Sequence, residues 1–160
     1  MTVIADPFAK DISLMNDKPT YKKVALNYKR NKKQDNTEEL DALSKDFIYE
    51  DCAKEYWNPE IFSLLYGTPL WDQATEHQRI LLNQLYWVGY YSQIISAEIA
   101  TIFLNQTAAA GLYGLEDFRI VCDTLDFESQ QERAHINAFK VVSESVERAI
   151  FGERIFTYPM

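Results

Sequence analysis

Between Ile80 and Leu115 the chain runs for 36 residues, ILLNQLYWVGYYSQIISAEIATIFLNQTAAAGLYGL, with one formal charge, Glu98. Few architectures accommodate such a segment. It is too interspersed with Asn, Gln, Ser and Thr to be a membrane span, and no run of about eighteen apolar residues occurs in it. Thr75 and Gln78 stand just upstream with the spacing of a capping box, so the stretch is expected to open as a helix. A helix that is apolar nearly all round is expected to be buried nearly all round.

Gly111 and Gly114 interrupt the pattern at GLYG, after which residues 115–150 take the charged, one-sided texture of a second long helix. Its apolar stripe includes Phe118, Val121, Leu125, Phe139, Val142 and Val146. Two long helices, about 76–110 and 115–150, joined by so short a link form an antiparallel hairpin. Upstream, Thr37 followed by Glu38 and Glu39 suits a helix start, and a helix is expected from there to about Tyr56. Asn58 and Pro59 suit the start of another, closed by Gly67. Residues 1–36 are polar and basic without a sustained period, and the expectation for them is an extended or loosely ordered lead-in. The predicted organisation is all-α: a 37–160 helical half-bundle domain behind that segment.

With only five Gly and five Pro and 47% hydrophobic residues, the composition suits one helical globular domain. A formal charge of −8 repels phosphate backbones and anionic lipid head groups, so neither nucleic acid nor a membrane is an expected partner. Ten of the sixteen Lys and Arg fall within the first 54 residues, densest in KRNKK, which reads as a solvated segment in preference to a docking arm. Cys52 and Cys122 form no framework or zinc-knuckle spacing. They are expected to be buried thiols in a reducing compartment. MTVIADPF, broken by Asp6 and Pro7, offers no hydrophobic signal core, so the expected location is cytoplasmic.

Glu98 is the position of chemical interest. At about 100° per residue, Trp87 and Tyr91 lie within roughly 20° of it, and Ile102 and Asn105 continue the line, so the carboxylate points into the stripe it interrupts. A lone carboxylate there costs several kcal/mol or takes up a proton unless a cation or donor compensates it. On the second helix Glu132 and His135 stand three apart in ERAH and share one face. Counted from the GLYG turn, Glu98 and Glu132 differ in depth by about 6 Å, one helical turn. Two carboxylates and an imidazole suit iron, or manganese, better than a thiolate-preferring ion. Chance alone supplies a Glu-x-x-His in roughly one chain of six with this composition. The alternative is a Glu132–His135 pair bonded to each other or facing solvent, with Glu98 neutral. His77 and Glu76 lie about 30 Å from Glu98 along the axis and read as a wet first turn.

Glu98, the 34-residue interval to Glu132, ERAH and the apolar helix LNQLYWVGYYSQIISAEIAT together resemble the first half of the ferritin-like di-iron oxygenases, over about residues 58–150. The likeness is strongest to the p-aminobenzoate N-oxygenase-like group. It implies a ferritin-like helical bundle, a di-iron centre with Glu98, Glu132 and His135 as ligands, dioxygen as co-substrate and a small organic substrate, amines among the candidates. Members of that group carry further Glu and His ligands on a second helix pair. A second copy of this chain, or a C-terminal half, is therefore expected to complete the bundle. The expected function is a di-iron oxygenase or oxidase. The competing expectations are a ferroxidase built from hairpin dimers and a metal-free helical interaction subunit.

Overall fold

The computed structural model describes residues 18–156, all of whose regular structure is helical. We label the helices α1 (Pro19–Lys33), α2 (Thr37–Lys45), α3 (Tyr49–Cys52), α4 (Pro69–Gln73), α5 (Glu76–Ala110) and α6 (Arg119–Phe151); 3-10 turns occupy Glu60–Phe62 and Glu116–Phe118. α5 and α6 form the expected hairpin, and they dominate the packing. The anticipated capping box heads α5: Thr75 Oγ1 accepts the Gln78 N–H at 3.3 Å, and Gln78 Oε1 accepts the Thr75 N–H at 2.9 Å. At the far end α6 stops at Gly152, whose φ of +79° is the left-handed value a glycine adopts without strain.

Residues 19–33 depart from expectation, being helical where an extended segment was anticipated; the remainder of that lead-in, 1–17, lies outside the described residues. Tyr21, Val24, Ala25, Tyr28 and Asn31 are the half-buried positions of α1, recurring at helical three- and four-residue spacing. Tyr28 meets Phe127 of α6 edge to face at 6.0 Å. Lys and Arg are good helix formers, and Arg30, Lys32 and Lys33 sit in the last turn, where cations suit the dipole.

The 37–56 helix also differs, breaking after Lys45 and resuming as the single turn of α3. The break delivers Tyr49 into the interior, 7% exposed, where its hydroxyl donates to Gln84 Oε1 at 2.7 Å. Nor does Asn58 cap a helix to Gly67. The Trp57 and Asn58 N–H groups both donate to Asn83 Oδ1, at 2.8 and 3.0 Å, and only a 3-10 turn follows Pro59. Long-range hydrogen bonds have overridden local helix signals in both places.

The core lies where α3 and the 47–63 segment meet the facing ends of α5 and α6, with Tyr49, Val88 and Val146 surrounded by Phe47, Trp57, Trp87, Val142 and Ile150. Asn83 and Gln84 are both fully buried there. Asn83 Nδ2 donates to the Asn58 carbonyl and Ser63 Oγ at 3.0 and 2.9 Å, and Gln84 Nε2 to the carbonyls of Cys52, Ala53 and Glu55 at 3.3, 3.2 and 2.9 Å. Glu147, also fully buried, accepts the Ile155 and Phe156 N–H groups at 2.5 and 2.9 Å and holds the chain beyond Gly152 against α6.

α1, α2 and α3 all pack on α6. The far flank of α5 is left uncovered, with Ile99, Phe103 and Leu104 each at least half exposed. The expectation that this helix is buried nearly all round is therefore not met within one chain. Cys122 is buried as expected, whereas Cys52 is only half-buried at the end of α3. No helix among the described residues is long and apolar enough to cross a membrane.

Candidate metal centre

Midway along the hairpin the three singled-out side chains come together. α5 contributes Glu98, and successive turns of α6 contribute Glu132 and His135, so the i, i+3 spacing and the hairpin register suffice to bring them into one group. Glu98 Oε1 lies 3.4 Å and Glu132 Oε2 3.3 Å from His135 Nδ1, and one donor atom from each residue lies within 4.8 Å of the others. The side chains are 14%, 24% and 34% exposed, in the order Glu98, Glu132, His135. The centre is thus sheltered but reachable.

One nitrogen cannot satisfy this group. An imidazole Nδ1 carries at most one hydrogen, so it can donate to only one of the two carboxylates that approach it. The second Glu98 oxygen, Oε2, is buried with no hydrogen-bond partner. Burial pushes the Glu98 carboxyl above its ordinary range; the neighbouring His135 pulls it down and Glu132 pushes it up again. A sheltered carboxylate whose second oxygen is buried and orphaned is missing a partner there, and a cation bound among the three would supply it. The spacing suits that role, because two donors about 2.1 Å from one ion and roughly at right angles lie about 3 Å apart. The donor chemistry, two oxygens and one nitrogen with no thiolate, fits iron or manganese.

Around the group the packing is aromatic. Phe139, one turn beyond His135 on α6, lies 6.2 Å from the imidazole, and Tyr91 lies 4.4 Å from Phe139. Trp87 packs at a tilt on Tyr91 at 4.3 Å, so the aromatic packing runs from Phe139 through Tyr91 along α5 toward the core. Helical spacing puts Phe139, four residues after His135, on the face that Glu132 and His135 share, and the structure sets its ring beside the imidazole. His77 and Glu76 are exposed in the first turn of α5, as expected.

No curated protein and no solved structure matches the chain. A family model does match it, over residues 19–160, a span that includes α1 to α6 and all three converging side chains. The family is not the p-aminobenzoate N-oxygenase-like group to which the sequence showed its strongest likeness, and the match reaches upstream of residue 58, where that likeness began, to take in α1. Its description is "Acyl halogenase CylC-like", and by this match the chain belongs to that family.

Proposed function

We propose that this chain holds iron at Glu98, Glu132 and His135 and uses it with dioxygen to oxidise a small organic substrate. The observation that carries the reading is the convergence of two carboxylates on one imidazole nitrogen, with the Glu98 Oε2 atom buried and unpartnered. The family description extends the reading to an acyl group as the substrate portion modified and to halogen as the atom introduced. Ferrous iron, when bound, supplies the electrons for dioxygen reduction; manganese is the alternative ion for the same donors.

The chain's own residues do the remaining work. Glu98 presents its carboxylate from a sheltered position on α5, which disfavours the charge until a cation arrives and so favours metal uptake over solvation. Glu132 and His135 share a helix face, so the backbone of α6 sets their separation without any loop. Tyr91 and Phe139 keep an apolar wall beside the imidazole and limit water there. Three donors are half of the set found in two-metal carboxylate bundles, and a second copy or a further helix pair would provide the rest. The exposed Ile99, Phe103 and Leu104 of α5 support such a covering partner.

The test is the iron content of protein purified from iron-supplemented cells, measured together with its oligomeric state. About one iron per chain is expected in the assembled form, falling below about a tenth in Glu132→Ala with helix content retained. Unchanged iron in that variant refutes the site. Turnover of iron and dioxygen with no organic co-substrate would instead favour a ferroxidase.

A further inference from the structure

The segment LYWVGYY places four aromatic residues, Tyr86, Trp87, Tyr90 and Tyr91, within six positions of α5. Their rings form a connected path. Tyr91 is 4.4 Å from Phe139, which lies 6.2 Å from the His135 ring. Tyr91 also packs at a tilt on Trp87 at 4.3 Å and meets Tyr90 edge to face at 5.3 Å. Trp87 in turn meets Trp57 edge to face at 5.5 Å. Tyr90 is 47% exposed and, with Asn58, Phe62, Tyr86, Trp87 and Tyr91, lines an open pocket of about 250 Å³.

Packing alone would be served as well by Phe and Leu. What distinguishes this path is that the residues bridging the imidazole's surroundings and solvent are tyrosines and a tryptophan, the side chains that give up one electron most readily among aromatics. Tunnelling weakens exponentially with distance, so rings in mutual contact divide a long transfer into short ones. Phe139 is too hard to oxidise to hold a radical, and the first step passes it to reach Tyr91.

We propose that Tyr91, Trp87 and Tyr90 form a one-electron relay that carries oxidising equivalents from the Glu98–Glu132–His135 centre to the surface when no substrate consumes them. The inference rests on the reading of that centre as a dioxygen-activating metal site. With a dioxygen-derived oxidant held at that centre, Tyr91 would give up one electron toward it, and the phenolic proton would pass to water in the open pocket that Tyr91 lines. Trp87, in contact with Tyr91, shares the electron vacancy. Tyr90 then returns an electron and a proton to Tyr91 and becomes the oxidised group. A one-electron, one-proton reductant in solution, such as ascorbate, restores the Tyr90 phenol.

The relay is testable without metal. A ruthenium polypyridyl photo-oxidant is attached at Glu132→Cys in a Cys52→Ser background, Cys122 being buried, and flashed with an electron-accepting quencher. A transient tyrosyl absorption is expected. Tyr91→Phe is expected to cut its yield about tenfold or more, the ratio set by each 1.4 kcal/mol added to the hopping barrier. Tyr90→Phe is expected to leave the yield but slow the decay with ascorbate, and Tyr113→Phe, near the hairpin turn, to change neither. An undiminished yield in Tyr91→Phe overturns the relay.

In the iron-loaded protein, exposure to dioxygen without substrate is expected to give an organic radical signal by freeze-quench electron paramagnetic resonance. Tyr91→Phe should lose it at unchanged iron content. Iron-loaded protein whose radical signal ignores Tyr91→Phe refutes the relay and leaves the metal reading intact. A chain that passes the vacancy in the flash experiment but binds no iron refutes the metal reading and leaves the pathway.

Discussion

Two parts of the α5–α6 hairpin bury polar side chains, and they treat them in opposite ways. Near the start of α5, Asn83 and Gln84 are fully buried, and their amide atoms find partners in the segment from Tyr49 to Ser63. Near the middle, Glu98, Glu132 and His135 remain partly exposed, share a single imidazole nitrogen and leave one carboxylate oxygen orphaned. The first arrangement is closed within the chain and serves the fold. The second is open, which costs stability unless a ligand completes it.

The largest effect expected from this contrast is at the closed part. Gln84→Ala removes the acceptor of the Tyr49 hydroxyl and the donor to three carbonyls, leaving buried polar groups unpaired around a new cavity. A loss of about 3 to 4 kcal/mol is expected. Urea unfolding measures it, and the folded fraction should keep its iron content. Iron lost in step with stability would show that the two parts are not separable.

The open part was more legible in the sequence than the closed one, for a physical reason. Glu98 announces itself as the one charge in an apolar helix, and Glu132 with His135 share a face by helical spacing alone; hairpin register then brings the three together. Asn83 and Gln84 carry no such mark, since their partners lie 20 to 35 residues away in a segment without period. The same distant partners explain why the helix from Thr37 breaks at Asp46 and why Asn58 caps nothing. α1 was less legible because its few apolar positions show no sustained period, and the partner they dock against, such as Phe127 for Tyr28, lies about a hundred residues away.

Thr75→Ala unpairs the N–H of Gln78 at the head of α5 and is expected to cost about 1 kcal/mol, shown by a lower thermal midpoint. Glu98→Gln should move stability the other way in metal-free protein. It removes a desolvated carboxylate with an unpartnered oxygen, and a gain of up to about 1 kcal/mol is expected, with iron binding lost. If Glu98→Gln destabilises as Gln84→Ala does, Glu98 is a closed structural contact and the contrast between the two parts fails.

The smallest effect concerns acid. Glu144 lies on α6 between the open centre and the closed core, and its carboxyl accepts two hydrogen bonds from Arg148, at 3.0 and 2.7 Å. The Arg148 hydrogen bonds hold its pKa below the ordinary 4.5, against the opposing pull of burial. A depressed carboxylate stabilises the fold above its unfolded pKa. As pH falls below about 4.5, the unfolded chain takes up the proton first, and the contribution is lost as the pH passes through the lower folded value. Because the pair is partly exposed, at 56% and 31%, about 0.5 kcal/mol or less is at stake. Glu144→Gln should therefore flatten the acid limb of stability against pH by that amount while leaving the plateau near neutrality slightly lower. A variant whose acid limb is as steep as the parent's would place the acid sensitivity outside the Glu144–Arg148 pair.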